Sequence, residues 1–351
     1  MIYVNPWIKD LYRVKYHDDR LRVLRLDMNE SPDGLPPEFV ETVKEKITPG
    51  SLAAYPEKHR LTSLLSKHCR VPAVCLTLTS GSDEAMRLAF QAFGEAGKNL
   101  ISVVPTFELY GVYAKMFGMI HVTVPHEEDW SVSAQRIMAQ INRHTGMVIL
   151  LNPNSPIGRT HTLAEARAII EKAGSAGALV VIDEAYHYFY PDTFIPLISE
   201  YENVIILRTF SKLCAMAGLR VGYTAGNPTL IDVLERAEPT FNVNAAGILF
   251  AEEILKRPDI MENLRIAEAE GHRWLEQRLK EAGYKTLSLE GCYVLFYPNR
   301  TSGEVVSSLR KKGVWVRDYS HGMLAGWIRV STGSVGSMKR FWEELAVIDM
   351  G

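Results

Sequence analysis

Several things are scarce in this chain of 351 residues, and each scarcity closes off a class of function. Cysteine occurs four times, as Cys69, Cys75, Cys214 and Cys292, with no CxxC spacing, and the ten histidines form no HxxxH or HExxH pair. This argues against a structural zinc centre. Scattered thiols in a large chain suit a reducing compartment, and Cys214, two residues after a lysine, reads as a small buried filler. An excess of one charge is also missing: 39 Lys and Arg stand against 41 Asp and Glu, a formal net of −2. There is then no electrostatic footprint for nucleic acid or an anionic membrane surface. No apolar run approaches a membrane span, and the start, Met1-Ile-Tyr-Val-Asn-Pro-Trp7, has no basic segment leading into an apolar one. A cytoplasmic protein is the expectation. What is plentiful is core material: 47% of residues are hydrophobic, enough for one large core or two moderate ones.

That core material is organised in alternation. Apolar runs at 100–104, 120–124, 147–151, 178–182 and 204–207 read as strands, with helical spacing at 107–117, 132–141 and 163–172 between them. Strands apolar throughout and separated by helices imply an α/β fold, a mainly parallel sheet covered on both faces. Residues 243–281 read as one long helical stretch, followed by strands at 293–296, 314–316 and 327–330 with helices at 303–311 and 337–345, a second and smaller domain. The first two dozen residues, with Tyr3, Trp7, Tyr12 and Tyr16 among Arg and Lys, read as an arm.

Ligands of parallel sheets bind beyond the carboxyl ends of the strands, so those ends carry the functional reading. The strand at 204–207 runs into Arg208-Thr-Phe-Ser-Lys-Leu-Cys-Ala-Met-Ala-Gly-Leu-Arg220. A desolvated lysine such as Lys212 loses its proton more easily and attacks an aldehyde to form a Schiff base. Arg220 offers a bidentate grip for a phosphate, with the Ser211 hydroxyl beside it. Aldehyde and phosphate together are the demands of pyridoxal phosphate. The strand ending at Ile182 delivers Asp183-Glu184-Ala185-Tyr186, and a carboxylate there is costly unless it meets a cation such as a pyridinium N–H. The strand ending at Leu151 leads into Asn152-Pro-Asn-Ser-Pro-Ile-Gly158, whose prolines fix its path and leave Asn154 a rigidly placed amide donor.

Other positions keep two readings. In Gly81-Ser-Asp-Glu84 a glycine turn opens a helix whose free N–H groups suit a phosphate. There Ser82 or Asp83 can cap the helix, and Asp83 reads as a plain cap or as an acceptor for the cofactor. Tyr110 reads as a ring stacked on the cofactor or as core. Asn29 and Glu30, ahead of the turn residues Pro32, Asp33 and Gly34, face either a ligand or water.

In this order the motifs resemble the fold-type I pyridoxal-phosphate aminotransferases, and within them the histidinol-phosphate aminotransferases. The resemblance rests on residues 26–34, Tyr55-Pro56, residues 81–84, Pro105-Thr-Phe107 with Tyr110, residues 152–158, 183–186 and 209–212, Gly218-Leu-Arg220, Phe241-Asn-Val-Asn244 and Trp327-Ile-Arg-Val330. It implies a large cofactor-binding domain over 41–242 and a small C-terminal domain over 243–351, to which an arm at 1–40 contributes. It implies that Lys212 carries pyridoxal 5′-phosphate as an aldimine, that Asp183 keeps the ring nitrogen protonated, and that Tyr186 and Asn154 donate to the ring hydroxyl oxygen. Tyr110 would stack on the ring, Ser82, Asp83, Ser211 and Arg220 would form the phosphate cup, and Tyr55 would reach the cofactor of the neighbouring subunit in a homodimer. Arg329 would grip the substrate α-carboxylate, and Asn29 would lie in a loop that closes on the substrate. Arg317 ends a strand on the substrate side and reads as a partner for a distal acidic group such as a phosphate, or as a solvated arginine.

The implied activity is transfer of an amino group between an amino acid, or an amino-alcohol phosphate such as histidinol phosphate, and a 2-oxo acid. The competing readings are an α-decarboxylase resembling threonine-phosphate decarboxylase, a tailoring aminotransferase of a specialised pathway, and a pyridoxal-phosphate-binding regulator without catalysis. The last expects a fused DNA-binding segment, which the chain does not show.

Overall fold

The computed structural model describes residues 2–11 and 19–349, so Tyr12 and Tyr16 of the arm lie outside the described residues. Its strands, in chain order, are β1 (Leu24–Leu26), β2 (Leu76–Thr79), β3 (Asn99–Val104), β4 (Ile120–Pro125), β5 (Thr145–Leu151), β6 (Leu179–Asp183), β7 (Val204–Thr209), β8 (Gly222–Gly226), β9 (Lys285–Leu287), β10 (Tyr293–Tyr297), β11 (Val314–Asp318) and β12 (Ile328–Ser331). No helix among the described residues is long and apolar enough to cross a membrane.

A seven-stranded sheet has the order β2-β8-β7-β6-β5-β3-β4. β3 to β7 pair in parallel, as the alternation of apolar runs and helices predicts. β8 departs from that pattern and is antiparallel to both β2 and β7. The physical reason lies in the connection after β7, which holds a single 3-10 turn, Ala217–Leu219, where a parallel return needs a crossover helix. Side chains on the central strands point to alternate faces: Val180, Ile182, Val204 and Ile206 enter one apolar cluster, while Leu179, Val181, Ile205 and Leu207 enter the other. The second cluster also takes in Cys292, Tyr293, Leu295, Leu324 and Trp327 from the C-terminal part, so the two parts share packed surface. Each such aliphatic side chain contributes about 1.5–3 kcal/mol by leaving water.

A second sheet has the order β1-β11-β12-β10-β9. Its first strand comes from the N-terminal segment and pairs in parallel with β11, Leu26 opposite Val316. This pairing carries residues 27–30, directly after β1, to the rim of the large sheet. Two helix boundaries differ from the sequence expectation. The stretch 243–281 is two helices, Ala245–Leu255 and Pro258–Glu281, because a proline fits the first turn of a helix and not its interior. The helix expected at 107–117 spans Leu109–Met116.

Candidate active site

The ends of β5, β6 and β7 meet the N-terminus of helix Gly81–Phe93 and the segment 27–30. Asp183 closes β6 with 4% of its surface exposed. Its Oδ2 accepts from the Tyr110 hydroxyl at 2.9 Å and its Oδ1 from the Ala185 N–H at 3.0 Å. Burial pushes its carboxyl up to about 6, partly offset by those two donors. Tyr110 is wholly buried, and burial beside Asp183 raises its phenol well above the usual range, so it stays protonated and donates.

Lys212 lies three residues past β7. Its Nζ donates to the Met28 carbonyl at 3.2 Å and sits 5.4 Å from the centre of the Tyr186 ring. The Tyr186 hydroxyl accepts from Asn29 Nδ2 at 2.8 Å. Asn29, in the left-handed region at φ 57°, also donates through its N–H to Ser331 Oγ at 2.8 Å, and its Nδ2 reaches Ser155 Oγ at 3.2 Å. One asparagine therefore joins the N-terminal segment, the loop after β5, the loop after β6 and the end of β12. Asn154 donates through Nδ2 to Thr106 Oγ1 at 3.2 Å, and its buried Oδ1 has no partner among the described residues.

Ser211, Asp83 and Arg220 form a second group. Arg220 Nη1 reaches Ser211 Oγ at 3.4 Å and its Nη2 reaches Asp83 Oδ2 at 3.2 Å. Gly81 has φ +74°, and a Cβ there would stand 2.7 Å from Arg220 Nη2, so only glycine lets the guanidinium lie over the start of this helix. Gly222 is equally constrained, since its Cβ would meet the Ser82 nitrogen at 2.9 Å. Asp83 and Ser82 do not cap the helix: the cap position is Ser80, with no side-chain bond, and its N–H donates to Glu84 Oε2 at 2.6 Å. The helix starts at Gly81, so Asp83 lies inside its first turn, turned toward Arg220.

Arg329, on β12, donates through Nη2 to the Asp27 carbonyl at 2.7 Å and through Nη1 to the Tyr319 hydroxyl at 3.2 Å, and its buried Nε has no partner among the described residues. Two predicted residues stand apart. Arg317 is the cross-strand partner of Arg329, yet it pairs with Glu108 at 2.7 Å at the surface. Tyr55 is 75% exposed and stacks on Phe241 at 4.2 Å between ring centres. Met28, Thr106 and Ser155, within the quoted motifs, and Tyr319 and Ser331 are contacts to which the sequence assigns no role; Ser331 meets Asn29 across 302 positions of chain, which no local pattern encodes.

These residues suit pyridoxal phosphate on their own chemistry. The set holds one lysine amine, a buried carboxylate whose pKa burial has raised, an unpartnered asparagine oxygen, and a hydroxyl and guanidinium beside a helix N-terminus. Among the described residues no group of three or more His, Cys, Asp or Glu could hold a metal ion.

The comparisons with known proteins agree with this chemistry. The family model for class I and II aminotransferases matches residues 22–345. The histidinol-phosphate aminotransferase of Thermoanaerobacter pseudethanolicus is 30% identical over 314 residues, covering 88% of each chain. That of Pyrococcus furiosus is 32% identical over 329 residues, covering 91% of this chain and 92% of its own. The crystal structure of histidinol-phosphate aminotransferase from Sinorhizobium meliloti in complex with pyridoxal-5′-phosphate superposes with a TM-score of 0.89 over 98% of this chain and 97% of that one, at 23% identity. Aspartate aminotransferase of Thermus thermophilus, as a double mutant, reaches 0.81 at 19% identity over 99% of this chain and 100% of that one. These two structures share the fold.

Proposed function

The chain belongs to the class I and II aminotransferases and is a pyridoxal-phosphate-dependent enzyme, and from that premise we propose that it transfers the amino group of histidinol phosphate to a 2-oxo acid, using Lys212. The observation that carries this reading is the similarity to histidinol-phosphate aminotransferases along about nine-tenths of both chains. Membership in an aminotransferase family favours transamination over the decarboxylation that shares these motifs.

The bound cofactor supplies an electron sink for the carbanion left when a proton leaves the substrate carbon that bears the amine. The chain's own residues do the rest. Lys212 holds the cofactor and, once freed by substrate, its Nζ takes that proton and returns it. Asp183 stabilises a protonated ring nitrogen, and in exchange the cation lets a buried carboxylate ionise. Tyr186 and Asn154 would hold the ring oxygen, Tyr110 would stack on the ring, and Ser82, Ser211 and Arg220 would hold the phosphate, with Asp83 at the same helix start paired to Arg220. Arg329 holds the carboxylate of the amino or oxo acid and so orients the bond that breaks. Asn29, bonded to Tyr186, brings the segment 27–30 over the substrate, and Arg317, the cross-strand neighbour of Arg329, would meet the substrate's phosphate by exchanging its surface pair with Glu108 for it. Tyr55 and Phe241, exposed together with Leu52, belong to the face that meets a second copy, where Tyr55 reaches the partner's cofactor. Four free thiols support a cytoplasmic setting.

The test is the visible absorption of the purified protein with pyridoxal phosphate, titrated with histidinol phosphate, glutamate and threonine phosphate. A cofactor band that histidinol phosphate converts to the amine form is the expected result, and a band unmoved by histidinol phosphate discards that donor. Lys212→Ala is expected to fold, to lose the band and to lose turnover, and retained turnover refutes the role of Lys212.

A further inference from the structure

Two residues of the motifs have no part in this chemistry: Glu184, which follows Asp183, and Arg208, which opens the Lys212 stretch. Strand alternation sends Asp183 and Glu184 to opposite sides of the sheet. The Glu184 N–H still donates to the Leu207 carbonyl, so the β6–β7 ladder continues through it and sets Glu184 beside Arg208. Arg208 Nε and Nη2 reach Glu184 Oε2 at 2.8 and 2.7 Å, with 5% and 1% of the two side chains exposed.

The pair is closed off by further bonds. Glu184 Oε1 accepts from the Phe194 N–H at 2.6 Å and from Thr193 Oγ1 at 3.0 Å. Arg208 Nη2 donates to Thr193 Oγ1 at 2.7 Å, and Nη1 donates to the Tyr223 hydroxyl on β8 at 3.2 Å. Three adjacent strands and the far end of the loop bearing Tyr186 are thereby tied at one point. An ion pair this deeply buried adds little net stability over an apolar pair of the same size, because desolvation cancels most of the attraction. Geometry is what it supplies.

We propose that Glu184 and Arg208 are positioning residues: their buried pair fixes Asp183 and Tyr186 at the end of one strand relative to Ser211 and Lys212 beyond the next, and so sets how the cofactor is held. The proposal rests on reading those four residues as cofactor contacts. Pairwise distances within the site then depend on a bond network on the opposite face of the sheet, which touches no substrate.

The experiment replaces both partners, Glu184→Met with Arg208→Met, which removes the two charges together and keeps the volume. Folding is followed by far-ultraviolet circular dichroism and melting. Cofactor binding is followed by titration and by the visible circular dichroism of the protein at saturating pyridoxal phosphate, a signal that reports how asymmetrically the ring is held. The double variant is expected to fold, to bind the cofactor about ten-fold or more weakly, and to show a changed visible dichroic band at saturation. Wild-type affinity with an unchanged band in the folded variant overturns the proposal. If the double variant does not fold, Glu184→Gln, which keeps the shape but removes the charge and sets an amide NH2 against one of the donors that the carboxylate accepts from, takes the same measurements with the same criterion. A wild type with no Lys212-dependent band overturns the functional reading and this proposal with it, whereas wild-type behaviour of the variants overturns the proposal alone.

Discussion

Asp183 and Glu184 are adjacent carboxylates, exposed by 4% and 1%, and they are treated in opposite ways. Glu184 has its cation: Arg208 lies against it, and the Thr193 hydroxyl and the Phe194 N–H complete its shell. Asp183 has two neutral donors and no ion pair among the described residues. The first carboxylate is finished by the fold. The second carries a raised pKa, so it is held ready for a positive partner that the chain itself does not supply. An incomplete buried charge next to a complete one separates the face of the sheet that does chemistry from the face that holds shape.

Breaking the completed pair produces the largest effect. Glu184→Ala leaves the Arg208 guanidinium buried without its counter-charge, and the expected loss is about 3–5 kcal/mol. Denaturant unfolding of the cofactor-free protein measures it, and a loss below about 1 kcal/mol shows that water or another carboxylate reaches Arg208.

The same change of charge at Asp183 has the opposite sign. A carboxyl held at about 6, against an ordinary 3.8, binds its proton more tightly in the folded than in the unfolded protein. Below pH ~3 both states are protonated and the cost is nearly gone. As pH rises toward 6 the unfolded state ionises first and stability falls, and above 6 the full cost is present, on the order of 3 kcal/mol. Asp183→Asn is therefore expected to stabilise the cofactor-free protein by up to about 2–3 kcal/mol at pH 8, with the gain vanishing below pH ~3. Transamination by the same variant falls about 100-fold or more. Melting curves of both proteins across that pH range decide the matter, and a variant that melts no higher than wild type at pH 8 contradicts the account.

The line between what was legible in the sequence and what was not follows the range of the interactions. Apolar runs such as 204–207 make the sheet legible, and the polar residues at their ends make Lys212, Asp183 and Asn154 legible as candidates, because strand burial and turn chemistry are local. The reversal of β8 hung on a loop too irregular to read. Asn29 was legible only as a loop residue. Its place beside Tyr186 depends on β1 pairing with β11, a contact some 290 positions away in the chain (Leu24 with Val314). Asp83 keeps two readings in the sequence, cap or cofactor contact, because Asp favours the cap position; the helix starting at Gly81 puts it in the first turn, paired with Arg220, and removes the cap reading.

At a third site, Trp130, the local cost is backbone strain. Trp130 has φ +64°, a conformation that costs a residue with a side chain about 1–2 kcal/mol. Like Glu184, it is compensated in place. Its carbonyl accepts from Arg159 Nε at 3.1 Å, and its ring packs edge-on to Trp327, 6.0 Å between centres at 85°. Trp327 directly precedes the strand that carries Arg329. Trp130→Gly removes the strain but also the aromatic contact, worth about 0.5–1.5 kcal/mol beyond the apolar area that the ring buries, so it is expected to be less stable than wild type. Trp130→Ala keeps the strain and loses the contact, and is expected to be less stable than the glycine variant by about 1 kcal/mol. Urea unfolding of the two variants side by side measures that difference. An alanine variant as stable as the glycine variant means that the turn at Trp130 relaxes when the ring is removed, and that the contact with Trp327 is what imposes the strain.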